Sequence, residues 1–128
     1  MRFLLDTHTF IWFVIDSPQL SNTAKVLIED EYNEKCLSFA SVWEMAIKCS
    51  LGKLSFNLPV QTFVEQQIQQ NSIDLLSIQM PHLAIVATLP LHHRDPFDRL
   101  LIAPAITEEI PIISADVAFD AYLIRRLW

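Results

Sequence analysis

Short apolar runs, each followed closely by a segment of helical periodicity, constrain this chain more than any other feature. Arg2-Phe-Leu-Leu-Asp6, Cys36-Leu-Ser-Phe39, Ile73 to Ile78 and Ile110-Pro-Ile-Ile-Ser114 have the length and apolarity of buried strands, and Leu123 to Trp128 reads as a last one. Between them lie the helical segments. Thr7 to Ile15 is apolar and aromatic and ends near Ser17-Pro18. Ser21 is placed to N-cap a helix through about Glu31, with Ala24, Leu27 and Ile28 on one face. Ser41-Val-Trp-Glu44 opens a third helix that stops at Gly52, and Val60 to Gln70 spaces Phe63, Val64 and Ile68 for a fourth. A helix from Pro81 to Thr88, a loop over Leu91 to Asp95, a helix from Pro96 with Leu100, Leu101 and Ala105 inward, and a short one from Asp116 to Tyr122 complete the pattern. Strands alternating with helices through short loops predict an α/β fold: a mostly parallel sheet covered on both faces, as one domain spanning residues 1–128. Pro104, inside the last long helix, is the local conflict and is expected to kink it or remove a hydrogen bond.

Composition removes several function classes. A single glycine leaves no way to write a Walker loop or a dinucleotide fingerprint. Two cysteines, Cys36 and Cys49, exclude a disulfide framework and a multi-cysteine zinc site, and are expected as buried thiols in a reducing compartment. The longest uncharged stretch, Leu75 to His93, carries Pro81, Pro90, Gln79 and three histidines, which no membrane span would hold. Asp6 interrupts any signal peptide, so the expected location is cytoplasmic. The net charge of −6 argues against a nucleic-acid binder, whose usual footprint is basic. That objection weakens if four acids are metal ligands, since eleven of the fifteen then stand against nine bases.

The placement of the acids is the informative part. In open α/β sheets, sites lie beyond the carboxyl ends of the strands. Asp6 directly follows the first strand, Asp116 lies just past the fourth, and Glu44 and Asp98 are expected in the first turns of helices. Four carboxylates on one rim raise one another's pKa unless a cation sits among them, and hard divalent cations take such oxygen ligands. Each acid also has a plainer role. Ser41 and Glu44 have capping-box spacing, Asp95-Pro96-Phe97-Asp98 is a helix start with Asp95 as N-cap, and Asp116 can cap the helix it precedes. Asp6, an acid closing a buried strand, is the hardest to explain without a partner. His92 and His93 read as loop histidines and His8 as a packed or surface residue. Trp12, Phe13, Trp43 and Phe10 read as core or subunit interface, and Asp120 as solvent-facing. Lys48, one turn after Glu44, either neutralises it or contacts phosphate.

Taken together, Leu4-Leu-Asp-Thr-His8, Ser41-Val-Trp-Glu-Met-Ala-Ile-Lys48 with Leu51-Gly-Lys-Leu54, His93-Arg-Asp-Pro-Phe-Asp-Arg-Leu-Leu-Ile-Ala103 and Ile113-Ser-Ala-Asp116 resemble the PIN-domain family, and within it the VapC-type toxin ribonucleases of type II toxin–antitoxin pairs. The likeness extends from Arg2 to Trp128. It implies a three-layer α/β/α sandwich in which Asp6, Glu44, Asp98 and Asp116 are the catalytic and metal-binding acids, holding one or two Mg²⁺ or Mn²⁺ ions. It also implies RNA as substrate, metal-activated water as nucleophile, and ends bearing 5′-phosphate and 3′-hydroxyl. Ser114 stands where the family often has threonine and is expected to orient substrate or water; Arg99, Arg94 and Lys48 are the nearest candidates for phosphate contact, with pairing to a neighbouring acid as the alternative for Arg99. A cognate antitoxin is implied as partner, and the aromatic early helix and high apolar content suggest surface for a homodimer or a partner. The chain departs from the family at Ala118, where some members carry a further acid, and at Pro104, where glutamine is frequent.

Two readings from other classes compete. An aspartyl-phosphate phosphatase would want a second acid two residues after the first, where this chain has His8, and a phospho-receiver would want adjacent acids near the first strand. A catalytically silent RNA- or antitoxin-binding module would keep the same ligands.

Overall fold

The computed structural model describes residues Met1–Trp128. Its elements run β1 (Arg2–Leu5), α1 (Thr7–Val14), α2 (Asn22–Glu29), β2 (Glu34–Ser38), α3 (Phe39–Ser50), α4 (Val60–Gln70), β3 (Ile73–Leu76), α5 (Met80–Thr88), α6 (Pro96–Thr107), β4 (Ile112–Ile113), a 3-10 helix (Val117–Ala121) and β5 (Arg126–Leu127). The five strands form one sheet in the order β3-β2-β1-β4-β5, every neighbouring pair parallel.

Side-chain alternation along the strands builds the layers. Phe3 and Leu5 of β1, Leu37 of β2 and Ile113 of β4 face one way, into a core with Phe10 of α1, Ala24 and Ile28 of α2, Met45 of α3 and Val64 of α4. Leu4, Cys36 and Ile112, the intervening residues, face the other way, onto Leu101, Ile102 and Ala105 of α6 with Phe119 and Tyr122. A strand apolar at every position is what a sheet covered on both faces requires. Helix α3 belongs to both layers, since Ala40 enters the second core and Met45 the first.

The helix starts show where local signals mislead. Ser21 caps α2 as expected, accepting the Ala24 N–H at 3.0 Å. Helix α3, however, begins at Phe39 rather than Ser41: β2 runs straight into it, and the Ser38 side chain caps it by accepting the Ala40 N–H at 3.0 Å. Ser41 therefore forms no capping box with Glu44. Its hydroxyl oxygen accepts from Thr7 Oγ1 at 2.9 Å, and Glu44 sits in the second turn. Gly52 follows the end of α3 with φ +71°, a left-handed position that glycine fills without strain. Strands β4 and β5 are only two residues each, shorter than their apolar runs. Cys49 is half-buried rather than buried. Helix α6 continues through Pro104 to Thr107, with one rung of its ladder missing where proline has no N–H.

Arg99 explains how the segment before α6 is held. Its Nη1 donates to the carbonyls of Pro90 (2.9 Å) and His93 (3.3 Å), and its Nη2 to those of Val86 (3.1 Å) and Leu89 (2.9 Å). These carbonyls include the last turn of α5, which has no following helix to receive them. All four terminal N–H groups are thus committed to backbone. Arg99 pins α5 and the loop to α6 instead of presenting its charge to phosphate. Replacing Arg99 with lysine keeps the charge but loses the planar fork, so the Arg99→Lys protein is expected to lose about 2 kcal/mol of stability. Urea unfolding at unchanged m-value checks this; an unmoved midpoint would return Arg99 to the phosphate-contact role.

Candidate active site

Because β1 aligns Leu5 with Leu37 of β2 and with Ile113 of β4, the residues that follow these strands leave the sheet side by side. The connections reverse direction between β1 and β4, and this switch point is where open α/β sheets form their crevice. Asp6 stands at that point. Its Oδ1 caps α1 by accepting the Thr9 N–H at 2.7 Å, and its Oδ2 accepts the Ser114 hydroxyl. The same Ser114 Oγ accepts the Asp116 N–H at 3.0 Å, and Thr9 Oγ1 donates to the Ile113 carbonyl at 2.9 Å. One network therefore laces the end of β1 to the end of β4. Ser114 is wholly enclosed in it, so its hydroxyl holds the Asp6 carboxylate and the Asp116 backbone and has no surface to offer a substrate.

The other acids arrive from three elements. Glu44, on α3 and buried, takes Lys48 Nζ on its Oε2 at 2.7 Å, the helical i,i+4 pair; of the two roles weighed for Lys48, neutralisation is the one seen. Asp98 lies in the first turn of α6, where the N-cap role belongs to Asp95: its Oδ1 accepts the N–H groups of Phe97 (2.8 Å) and Asp98 (3.3 Å). Asp98 is thereby freed from capping. Asp116 caps the 3-10 helix through Oδ1, accepting the Ala118 N–H at 3.0 Å, and turns Oδ2 toward His93 Nε2 at 3.2 Å.

His93 is the residue that sequence reasoning passed over. It is buried, and its Nε2 also lies 3.9 Å from Asp98 Oδ2. One ligand atom each from His93, Asp98 and Asp116 falls within 4.8 Å of the others. The signal was available: His93 opens the His-Arg-Asp-Pro-Phe-Asp segment, five residues ahead of Asp98. Arg126 was missed as well. It holds Asp120 through Nε (2.9 Å) and Nη2 (3.1 Å) and donates Nη1 to the Ser114 carbonyl at 3.0 Å. Asp120 is exposed, as expected, but paired. His8 is exposed and leans on Trp12; Trp43 is half-exposed, edge-on to Phe97 at 4.9 Å.

Asp98 carries the electrostatic load. Burial first, then the charges of Asp95, Glu44, Asp6 and Asp116, push its carboxyl up to about 7. Asp6 and Glu44 lie outside the tight triad, yet both bear on Asp98, so all four acids share one field. At Asp116 burial disfavours charge, but the Ala118 N–H, His93 and Arg126 outweigh it and hold the carboxyl below its usual range. A set of hard oxygen donors in which one member resists ionisation through burial and the charge of the others fits a divalent cation such as Mg²⁺ or Mn²⁺.

The raised Asp98 fixes the sign of a pH effect. Folding favours the protonated carboxyl, so in metal-free protein the contribution of Asp98 to stability falls as pH rises from about 4, and its cost is complete above about 7. Asp98→Asn, melted in chelator, is expected to exceed the wild type at pH 8, by roughly 4 °C per kcal/mol recovered, and to match it at pH 4. A wild type at least as stable as the variant at pH 8 would contradict this.

Solved structures with the same fold span this chain end to end. The VapBC2 complex of Rickettsia felis bound to a promoter DNA fragment aligns with TM-score 0.72 at 14% identity, covering 100% of this chain and 99% of that one. FitAcB of Neisseria gonorrhoeae aligns with TM-score 0.66 at 20% identity, over 98% and 96%. VapBC-5 of Mycobacterium tuberculosis, a member of the VapBC family of toxin–antitoxin systems, aligns with TM-score 0.60 at 16% identity, over 98% of both chains. None of the curated proteins matches at a significant level. The family model described as the PIN domain matches residues 3–122, from the strand that delivers Asp6 to the tyrosine beneath His93, and on that match the chain belongs to the PIN-domain family.

Proposed function

We propose that this chain, acting as one domain over residues 1–128 in the cytoplasm, is a metal-dependent endoribonuclease of the VapC toxin type, neutralised by a cognate antitoxin. The observation that carries the reading is Asp98: a carboxyl pushed up to about 7 by burial, and then by Asp95 and three other site acids, is poised for a cation. Asp6, Asp98 and Asp116 are the residues to hold it, with Glu44 completing the donor set. Bound there, one or two Mg²⁺ or Mn²⁺ ions would neutralise the acids and acidify a water, easing its conversion to the hydroxide that attacks a phosphodiester.

The chain's own residues set the stage for that chemistry. Ser114 and the Thr9 N–H hold both oxygens of Asp6 from the protein side, so its remaining lone pairs face the crevice. Lys48 offsets the buried charge of Glu44. With Arg99 committed to carbonyls, exposed Arg94, next in sequence to His93, is the cation proposed to meet substrate phosphate. The likeness to VapBC structures supports an antitoxin partner, which we propose blocks the site by inserting a segment. No helix is long and apolar enough to cross a membrane.

Purified, antitoxin-free protein is expected to cleave mixed RNA in Mn²⁺ or Mg²⁺, to stop in EDTA, and to lose activity at least a hundredfold as Asp98→Asn while remaining folded. A folded Asp98→Asn protein with full activity would remove that residue from the mechanism. Cleavage absent from the wild type, with metal still bound, would favour a very selective RNA target or the silent module. The homodimer belongs to the same proposal. It is supported by Trp43, Leu83 and Leu91, which stand exposed around a groove of roughly 640 Å³ beside α3, α5 and the start of α6. Light scattering at micromolar concentration should give twice the chain mass; a monomer throughout would discard the dimer.

A further inference from the structure

His93 lies in the loop before α6, as expected, but is buried and firmly held there. Its backbone N–H donates to the Tyr122 hydroxyl at 2.7 Å, and that hydroxyl donates to the Pro90 carbonyl at 3.1 Å. Its own carbonyl takes an N–H from Arg99. The ring lies nearly parallel to Tyr122 (5.5 Å, 22°) and tilted over Phe119 at 4.7 Å. Backbone and ring are thus fixed, and the edge carrying Nε2 points at Asp116.

The two ring nitrogens have very different surroundings, and this decides the tautomer. Nδ1 is buried with no hydrogen-bond partner, whereas Nε2 has a carboxylate oxygen at 3.2 Å. A proton on Nδ1 would bury an unsatisfied donor and set the Nε2 lone pair against a carboxylate lone pair. A proton on Nε2 makes a charge-assisted hydrogen bond and leaves only a bare acceptor among aromatic rings. That same proton occupies the lone pair a metal would need.

We propose that His93 is a positioning residue of the metal site: as the Nε2–H tautomer it holds Asp116 Oδ2, while the Ala118 N–H holds Oδ1, so that Asp116 meets the cation in one orientation and His93 itself is no ligand. The proposal rests on the metal-dependent reading above and extends it to a residue that makes no contact with the ion. Outer groups of this kind typically change metal affinity by about 10–100-fold.

The test uses the full chain without nucleic acid. Calorimetric titration with Mn²⁺ and with Mg²⁺ compares the wild type with His93→Phe, which keeps the ring stack, and His93→Gln, whose amide N–H reaches close to the position of Nε2. His93→Phe is expected to weaken both ions by a similar factor, roughly 10–100-fold, and His93→Gln to recover most of the loss. Nitrogen-15 NMR of the imidazoles in metal-free wild type at pH 8 should show His93 protonated on Nε2, a measurement that needs no variant to fold. An Nδ1–H tautomer overturns the proposal. So does a pattern in which His93→Gln is as weak as His93→Phe and Mn²⁺ suffers far more than Mg²⁺, which would make His93 a ligand. Wild-type binding that His93→Phe leaves unchanged overturns only the role assigned to His93, whereas a wild type that binds neither ion overturns the metal reading beneath it.

Discussion

The Ser114 hydroxyl donates to Asp6 and accepts from the Asp116 N–H at the one place where the connections of the sheet change direction. A carboxylate at the end of a buried strand is costly unless its oxygens are met by donors. Here the donors come from the next strand over and from the first turn of the following helix, so the cost is answered by the same contacts that hold β1 beside β4. The site and the sheet are therefore one construction. A chain that closed the sheet with an alanine at 114 would leave Asp6 short of a partner and Asp116 without its anchor.

Beyond that point the rim is short of positive charge. Lys48 serves Glu44, Arg126 is divided between Asp120 and the Ser114 carbonyl, and Arg99 spends its donors on the backbone of the α5–α6 connection. Asp98 is partly buried and left facing Asp95 and three other site acids with no base of its own. Other side chains in the cluster have their charge answered locally, which concentrates the imbalance at a single position on α6.

Much of this was legible from sequence because it is local. Apolar runs located the strands, Ser21 and Asp95 announced their helices, and acids directly following strands had to lie on the rim. The misses share a different cause. Ser41 has the spacing of a cap, but β2 runs directly into α3, so Ser38 takes the position and Ser41 turns to Thr7, thirty-four residues earlier. Arg99 sits in a motif next to an acid, yet its partners lie six to thirteen residues back on the preceding helix and loop. His93 draws its meaning from Tyr122 and Asp116, which no window along the chain brings near it. Side chains that act within a turn can be read in one dimension; those that tie separate elements together emerge only once the elements are packed.

The ends of the sheet carry a consequence of another kind. On one side β3 is four residues long and turns Asp74 to solvent; on the other, β5 is two residues long and stops one residue before the end of the described chain. Neither margin presents the long, flat, apolar backbone ladder on which further copies could be templated. A protein with half its composition hydrophobic is thereby kept from open-ended backbone pairing, the route to fibres. Whatever contacts it makes with its own kind are left to side chains on the helical layers, where shape can limit the number of partners.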